Sequence, residues 1–123
     1  MVAWQKSMDL AVDAYELTRN FPKEEMYGLV NQMRRASVSV PANIAEGYGR
    51  GLVGDYLRFL RNARGSICEL ETEALLAQRL AFLSAQETDD FVRRLHEAKP
   101  VLQGLITSLE RVQETQEGNR HRA

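Results

Sequence analysis

Six arginines lie close together in the sequence and are the side chains best suited to bind a ligand. They are Arg34, Arg35, Arg50, Arg58, Arg61 and Arg64. Guanidinium groups clustered in this way commonly contact the phosphates of nucleic acid. Tyr48 and Tyr56 belong to the same stretch and are suited to stacking on unpaired bases. The sequence therefore predicts a nucleic-acid-binding surface, with RNA or a ribonucleoprotein as the partner.

The charge pattern supports a second interpretation. Residues 31–65 contain the six arginines and two acidic residues, a local charge of +4, whereas residues 66–90 contain six acidic residues and Arg79, a local charge of −5. Such blocks are commonly solvated faces in a chain whose net charge is only −1. Alternatively, the arginines pair with the acidic region of a neighbouring subunit. The protein would then be an interaction scaffold with no nucleic-acid role.

Residues for enzyme chemistry are scarce. The only histidines are His96 and His121, and Arg93 stands where a di-iron bundle would need a glutamate three residues before His96. Cys68 has no histidine within one helical turn, so it lacks the base that activates a thiol. We expect a non-enzymatic protein without catalytic residues, metal, cofactor or small-molecule substrate. An enzyme that depends on Glu46 is the third alternative.

Residues 49–54 satisfy the GxGxxG pattern of dinucleotide-binding folds. That pattern requires a strand before it, a helix after it and a second strand beyond. Apart from the short alternation at 37–40, the sequence contains no strand pattern. We interpret the glycines as a turn between two helices.

Length and composition favour one globular domain. The chain has 123 residues, a single cysteine and no apolar run near the ~20 residues that span a bilayer. Nothing at the N-terminus resembles a signal peptide. We expect a cytoplasmic protein without a membrane segment.

Apolar residues at three- and four-residue spacing predict four helices. In the first, Trp4, Met8, Ala11, Val12 and Tyr15 are predicted to form the buried face, while Leu10, Ala14 and Leu17 extend the apolar arc beyond what one core contact requires.

The second helix is predicted over 23–48, with Pro22 at its first position. Pro41 removes a hydrogen bond from its interior, which predicts a kinked continuous helix, with a break as the alternative.

The third helix is predicted over 52–82. Leu76, Leu80 and Leu83 form a second apolar stripe on it, so these leucines, with Leu10 and Leu17, are the predicted oligomer interface.

Gly65 is unfavourable in a helix interior, which predicts close approach of another helix backbone there, with Ser66 donating a hydrogen bond across the contact. Asn43 and Glu46 are predicted to face the same junction. The resulting polar network comprises Ser37, Asn43, Glu46, Ser66 and Glu69, with a ligand site as the alternative.

The fourth helix begins at a capping box, Ser84 with Glu87. Its apolar residues then repeat over three heptads from Phe91 to Val112, which is typical of a bundle seam. Pro100 predicts a kink, and residues 117–123 a polar flexible tail. The predicted fold is all-α: an antiparallel up-down four-helix bundle over residues 1–116.

Several of these residues also form longer motifs. They read Gln32-x-Arg-Arg-Ala-Ser-Val-Ser-Val-Pro-x-Asn-Ile-Ala-Glu-Gly47, Tyr56-x-x-Phe-Leu60 and Ala63-x-Gly-Ser-x-x-Glu-Leu-Glu71. From about Trp4 to Leu83 the chain closely resembles the four-helix-bundle family named after 23S rRNA intervening sequences.

The resemblance implies an antiparallel four-helix bundle that assembles as a homopentamer and has no established enzymatic activity. A related branch, the accessory proteins of diversity-generating retroelements, binds nucleic acid and a reverse transcriptase through a strongly basic surface. This chain departs from that branch in its isoelectric point of about 6.1.

Overall fold

The computed structural model describes residues 1–122, which form four helices. They are α1 (Val2–Thr18), α2 (Leu29–Arg50), α3 (Val53–Arg79) and α4 (Ala85–Arg122). Each helix packs on the next and α4 packs on α1, so the four close into a ring around one core. This confirms the predicted all-α four-helix bundle.

Contacts at the two ends of the bundle show the up-down order. Tyr56, near the start of α3, donates from its hydroxyl to Met1 Sδ at 3.7 Å. At the opposite end the rings of Phe21 and Phe82, which follow α1 and α3, lie 5.5 Å apart. Neighbouring helices are therefore antiparallel.

The second helix begins later than the sequence predicts. Lys23–Glu25 form a short 3₁₀ turn, and α2 starts only at Leu29. The Glu25 carboxylate accepts a hydrogen bond from the Leu29 amide at 3.1 Å, which satisfies a donor that the first turn of a helix leaves free. From there α2 continues through Pro41, and α4 through Pro100, without a break. A bend at either proline stays a prediction.

Both ends of the α3–α4 connection are capped. The Ser84 amide donates to Glu87 Oε1 and the Glu87 amide to Ser84 Oγ, each at 3.0 Å, which confirms the predicted capping box. At the end of α3, Ala81 has φ 63°, and the Phe82 amide donates to the Ala77 carbonyl at 2.9 Å. This is a Schellman ending with alanine where glycine is usual.

The core consists mainly of aliphatic side chains from all four helices. Fully buried members include Val40 and Ile44 of α2, Ile67 of α3, and Leu95 and Leu102 of α4. Ile106, which lies beside the predicted heptad positions of α4, is buried with them.

The prediction for α1 is wrong about which stripe faces the core. The buried residues are Leu10 and four small or polar residues, Ala3, Ser7, Ala14 and Thr18. Small side chains let α1 approach its neighbours closely. The two hydroxyls donate to carbonyls of their own helix at 2.7 and 2.8 Å, so their burial leaves no donor unsatisfied. The large stripe Trp4, Met8, Val12 and Tyr15 is instead 38–54% exposed.

Burial corrects two of the predicted interface residues. Leu10 and Leu83 are only 2% and 4% exposed and belong to the core. Leu17 is partly buried and packs against that core. Leu76 and Leu80 do lie on the surface.

The helix α4 is much longer than its neighbours. At 1.5 Å per residue its 38 residues span about 57 Å, whereas the 27 residues of α3 span about 40 Å. Gln113 lies beside Gly54 at the start of α3, so the last two turns of α4, which the sequence predicts as a flexible tail, extend past the bundle. No helix within residues 1–122 is long and apolar enough to cross a membrane.

Candidate functional site

The six arginines do not form one cluster. Arg34 and Arg35 lie near the start of α2, and Arg50 is its last residue. Sixteen residues of helix separate Arg34 from Arg50, a distance of about 24 Å along the axis. The structure therefore divides the predicted surface into separate parts.

Arg34 joins α2 to the end of α1. Its Nε donates to Thr18 Oγ1 at 3.0 Å, and its Nη2 lies 3.5 Å from the Tyr15 carbonyl oxygen. The guanidinium also lies 4.6 Å from the centre of the Tyr15 ring. A cation at the C-terminus of a helix is favourable, so this arginine has a structural role.

Arg61 and Arg64 join α3 to α4. Arg61 Nη2 donates to Glu110 Oε2 at 3.1 Å, and Arg64 Nη1 donates to Gln103 Oε1 at 3.0 Å. Both guanidinium groups thus bind side chains of another helix in the bundle, although both hydrogen bonds are exposed to solvent. Their partners on α4 lie 49 and 39 residues away in sequence, which spacing on α3 alone does not reveal.

The arginines at the α2–α3 turn form a cluster with aromatic rings, here called the turn end: Tyr48, Arg50, Tyr56, Arg58 and Phe59. The guanidinium carbons of Arg50 and Arg58 lie 5.2 and 4.5 Å from the centre of the Phe59 ring. Tyr48 is 68% exposed and meets Tyr56 edge to face at 6.0 Å. Burial, and secondarily Tyr48, raise the pKa of Tyr56, so its hydroxyl stays protonated.

Gly47 makes the turn end possible. A Cβ atom at this position would lie 2.9 Å from Phe59 Cβ and 3.0 Å from the Tyr56 ring, so only glycine lets α2 and α3 meet so closely here. The prediction of a close approach at Gly65 is wrong, because a Cβ there would meet open space.

A polar junction connects α2 and α3 near their middles. The hydroxyls of Ser39 and Ser66 share a hydrogen bond of 2.8 Å, and Asn43 Nδ2 donates to the Ser39 carbonyl and hydroxyl at 2.8 and 2.9 Å. The cross-helix bond of Ser66 is thus as predicted. Its partner Ser39 was missed, although it lies one turn from Asn43.

The other predicted network residues lie elsewhere. Ser37 donates to the Arg34 carbonyl at 2.8 Å, and Glu46 pairs with Arg50 at 2.8 Å. Glu69 lines a cavity of about 330 Å³ with Ser39 and Ser66 and forms no hydrogen bond to either. The polar junction therefore contains two of the five predicted residues, Asn43 and Ser66, which are connected through Ser39. The other three predicted residues do not take part in it.

Glu73 is a buried carboxyl group that sequence reasoning missed. It is 6% exposed, and its Oε1 has no hydrogen-bond partner among the residues described. Burial, and secondarily the Glu69 carboxylate, raise its pKa to about 7. The signal was available, because Glu73 lies three residues after Leu70 and four before Ala77, both in the buried apolar pattern.

One exposed apolar surface, here called the α1–α2 face, comprises Trp4, Met8, Val12 and Tyr15 of α1 with Val38 of α2. All five are more than one-third exposed. Four of them line a shallow cavity of about 340 Å³. A second cavity of about 530 Å³ continues from Tyr15 and Val38 to Arg34 and Arg35. Contiguous apolar surface of this kind marks an interaction site.

A second exposed apolar patch occurs where α3 ends, here called the α3–α4 corner: Leu75, Leu76 and Leu80, each 45–49% exposed. Glu87 and Asp90 at the start of α4 line a cavity of about 270 Å³ with Asp13 and Glu16 of α1. The predicted stripe is thus present, but Leu75 replaces Leu83 in it.

Titratable groups do not gather into a metal centre within residues 1–122. His96 Nε2 lies 2.6 Å from Glu71 Oε1, a pair that joins α3 to α4. The arrangement suits helix packing, and no third ligand-type residue completes the pair within that part of the chain.

Comparison with known proteins identifies relatives by sequence and by fold. A family model described as 23S rRNA-intervening sequence protein matches residues 1–104. A crystal structure of a protein of unknown function from the S23 ribosomal protein family of Bacteroides thetaiotaomicron has a TM-score of 0.80 to this chain. It is 22% identical, and the match covers 86% of this chain and 96% of that one. No curated protein matches the chain.

Proposed function

The chain belongs to the 23S rRNA-intervening sequence protein family, and on that premise we propose that it is a self-associating helical-bundle scaffold. The α1–α2 face is its contact surface. The proposal assigns no enzymatic reaction to the protein, and its resemblance to the family implies five subunits.

One observation carries this proposal: α1 buries Leu10 with four small or polar residues and exposes a stripe of four large apolar ones. Trp4, Met8, Val12 and Tyr15 fall at spacings of four, four and three residues, so they form one continuous ridge. Aromatic and methionine side chains are enriched at the centres of protein interfaces. At ~25 cal/mol per Å² of buried apolar surface, covering such a ridge favours association.

The proposal also accounts for three of the six candidate arginines. Arg34, Arg61 and Arg64 contact other helices of the same chain, which leaves them less available to phosphate. Arg34 holds the Tyr15 ring beneath its guanidinium, so it supports the α1–α2 face directly.

Sedimentation velocity tests the proposal. We expect wild-type protein to sediment as an oligomer at micromolar concentrations and Val12→Asp to sediment as a monomer, because the variant places a charge in the ridge. Ser108→Asp is the matched control, since it introduces the same charge at an exposed position on α4, outside the α1–α2 face. A monomeric wild type, or an oligomer of unchanged size in Val12→Asp, would refute the proposal.

RNA contact at the turn end is the second candidate function, and the exposure of Tyr48 favours it. A largely exposed tyrosine beside two arginines that lie on an aromatic ring is suited to unpaired bases. Against this, each of the two arginines has an acidic neighbour: Arg50 pairs with Glu46 at 2.8 Å, and Arg58 lies 3.8 Å from Asp55.

Fluorescence anisotropy with a labelled single-stranded 20-nucleotide RNA tests this second candidate. Tyr48→Ala combined with Arg58→Glu should weaken binding at least ~10-fold, because one stacked base alone contributes about 1–3 kcal/mol. Arg93→Glu is the control, since this exposed arginine lies near the opposite end of the bundle. Equal affinity in wild type and the double variant would exclude the turn end as an RNA site.

A further inference from the structure

We infer that a polar cavity between α2 and α3 binds a small zwitterion, a free α-amino acid. The cavity has a volume of about 330 Å³ and is here called the polar groove; its polar lining consists of Asn31, Gln32, Arg35, Ser39, Ser66 and Glu69. Ser39 and Ser66 form the hydrogen bond of the polar junction, so the groove lies directly beside that junction. The inference goes beyond the proposed self-association and does not depend on it.

Two opposite charges line the polar groove without neutralising each other. Arg35 lies on α2 and Glu69 on α3, and both residues are exposed. Neither side chain forms an ion pair or a hydrogen bond among residues 1–122, whereas the adjacent Arg34 is held by Thr18. A guanidinium and a carboxylate that share a cavity but do not meet can each bind the opposite charge of one ligand.

A buried carboxyl group lies behind the acidic side of the groove. Glu73 is one helical turn from Glu69, and the two carboxyl groups lie close enough to share a hydrogen bond and to repel each other when both are ionised. The side chain of Glu73 is therefore directed towards the groove. It is only 6% exposed, and its Oε1 has no hydrogen-bond partner among the residues described.

The register of the two helices also brings Glu73 to the groove. Ser39 of α2 lies against Ser66 of α3. Because the helices are antiparallel, two turns back along α2 lead to Gln32 while two turns forward along α3 lead to Glu73. Gln32 itself lines the groove, so the buried carboxyl group lies at one end of it.

This arrangement fixes which end of a ligand binds where. Two adjacent carboxyl groups ionise together only at a cost in free energy, and a cation beside them removes that cost. An ammonium group bound at Glu69 is such a cation, and the ligand carboxylate then binds Arg35. No reaction is assigned to the site.

The remaining side chains and the size of the groove suit a small polar molecule. The amide groups of Asn31 and Gln32 can both donate and accept hydrogen bonds. A volume of about 330 Å³ falls at the lower end of the ~300–1,000 Å³ typical of small-molecule sites. An α-amino acid fits these features, because it carries an ammonium and a carboxylate on one carbon atom.

Isothermal titration calorimetry at neutral pH with glycine and two analogues tests the inference. Glycinamide keeps only the ammonium group, and N-acetylglycine keeps only the carboxylate. We expect wild-type protein to bind glycine at least ~10-fold more tightly than either analogue, because each analogue loses a charge-assisted hydrogen bond. If glycine does not bind, or if either analogue binds as tightly as glycine, the inference is wrong.

Two variants assign the ligand charges to their partners. Glu69→Gln should abolish the preference for glycine over N-acetylglycine, and Arg35→Gln should abolish the preference for glycine over glycinamide. Both positions are exposed, so both variants should fold like the wild type, which circular dichroism checks. A preference that persists in the corresponding variant would place the ligand elsewhere and overturn the inference.

Glu114→Gln and Arg111→Gln are the matched controls, since they remove the same charges at exposed positions on α4. Both should keep the wild-type preferences. Equal losses in the controls and in the groove variants would show that overall charge governs binding, and the inference would fail. Because the measurement is ligand binding, such a failure leaves the proposed self-association standing.

Discussion

The contact between α2 and α3 and the α1–α2 face both consist of apolar side chains on regular helices, but only the first is closed within one chain. At Gly47 the two helices approach until a single methyl group would collide with Phe59. On the α1–α2 face, five large side chains stay more than one-third exposed. Apolar character alone therefore does not distinguish a core from an interface, whereas the geometry of the partner surface does.

A matched pair of valines gives the largest expected contrast between the two regions. Val40→Ala removes two methyl groups from a fully buried site and should lower the free energy of unfolding by about 2–3 kcal/mol. Val12→Ala on the α1–α2 face should change the stability of the monomer by less than ~0.5 kcal/mol. Urea unfolding at a concentration where the chain is monomeric measures both, and equal losses would contradict the distinction.

A pair of glycines should respond with opposite signs. Gly47→Ala places a Cβ atom 2.9 Å from Phe59 Cβ and should destabilise the bundle by about 1–3 kcal/mol. Gly65→Ala enters open space in the middle of α3 and should stabilise it by about 1 kcal/mol, since alanine is the better helix former. Melting temperatures that move in the same direction for both variants would show that the close contact is not specific to Gly47.

The buried carboxyl group of Glu73 should make the interior of the bundle sensitive to pH. Its pKa rises from 4.5 to about 7 on folding, so the folded chain binds its proton more tightly than the unfolded chain does. Stability should therefore fall as the pH rises from about 4.5 to 7 and then stay level with respect to this group.

Glu73→Gln tests that dependence. The variant should be more stable than wild type at pH 8, by on the order of 1–2 kcal/mol, and equal to it near pH 4.5. Guanidinium unfolding at the two pH values measures the difference. Glu114→Gln, at an exposed site on α4, should show no such trend, and a pH-independent gain in Glu73→Gln would rule out titration as the cause.

Two adjacent arginines provide the smallest contrast. Arg34→Ala loses a hydrogen bond to Thr18 and the contact with the Tyr15 ring, and should lower stability by about 1 kcal/mol. Arg35→Ala loses no ion pair within the monomer and should leave its stability unchanged. Thermal unfolding compares them, and equal effects would mean that the Tyr15 contact contributes nothing to the fold.

The presence of four helices could be predicted from the spacing of apolar residues and from the capping residues. The capping box at Ser84 and the cross-helix bond of Ser66 were predictable because each depends on one or two local side chains. The orientation of α1 was not, because both of its stripes are helix-compatible and the larger one was the reasonable choice for a core. Which stripe is buried depends on how closely the other helices approach α1. The sequence of α1 alone does not contain that information.

The candidate site was predictable only in its composition. Arginine and tyrosine enrichment drew attention to the turn end, but linear proximity grouped Arg34 with Arg50, which a helix separates by about 24 Å. Gly65 and Gly47 show the same difficulty. Each is a glycine in a helix, and only the position of the facing chain reveals that one of them is crowded and the other free.

Ala81 has a consequence for how the chain presents its surface. A left-handed alanine is strained by about 1–2 kcal/mol relative to the right-handed form, and glycine would relieve that strain while adding conformational freedom to the unfolded chain. An alanine at this position therefore makes the turn directly after Leu80 more rigid than a glycine would. A rigid turn holds Leu80 and the start of α4 at a fixed angle. A binding partner would therefore contact a surface that already has its bound conformation.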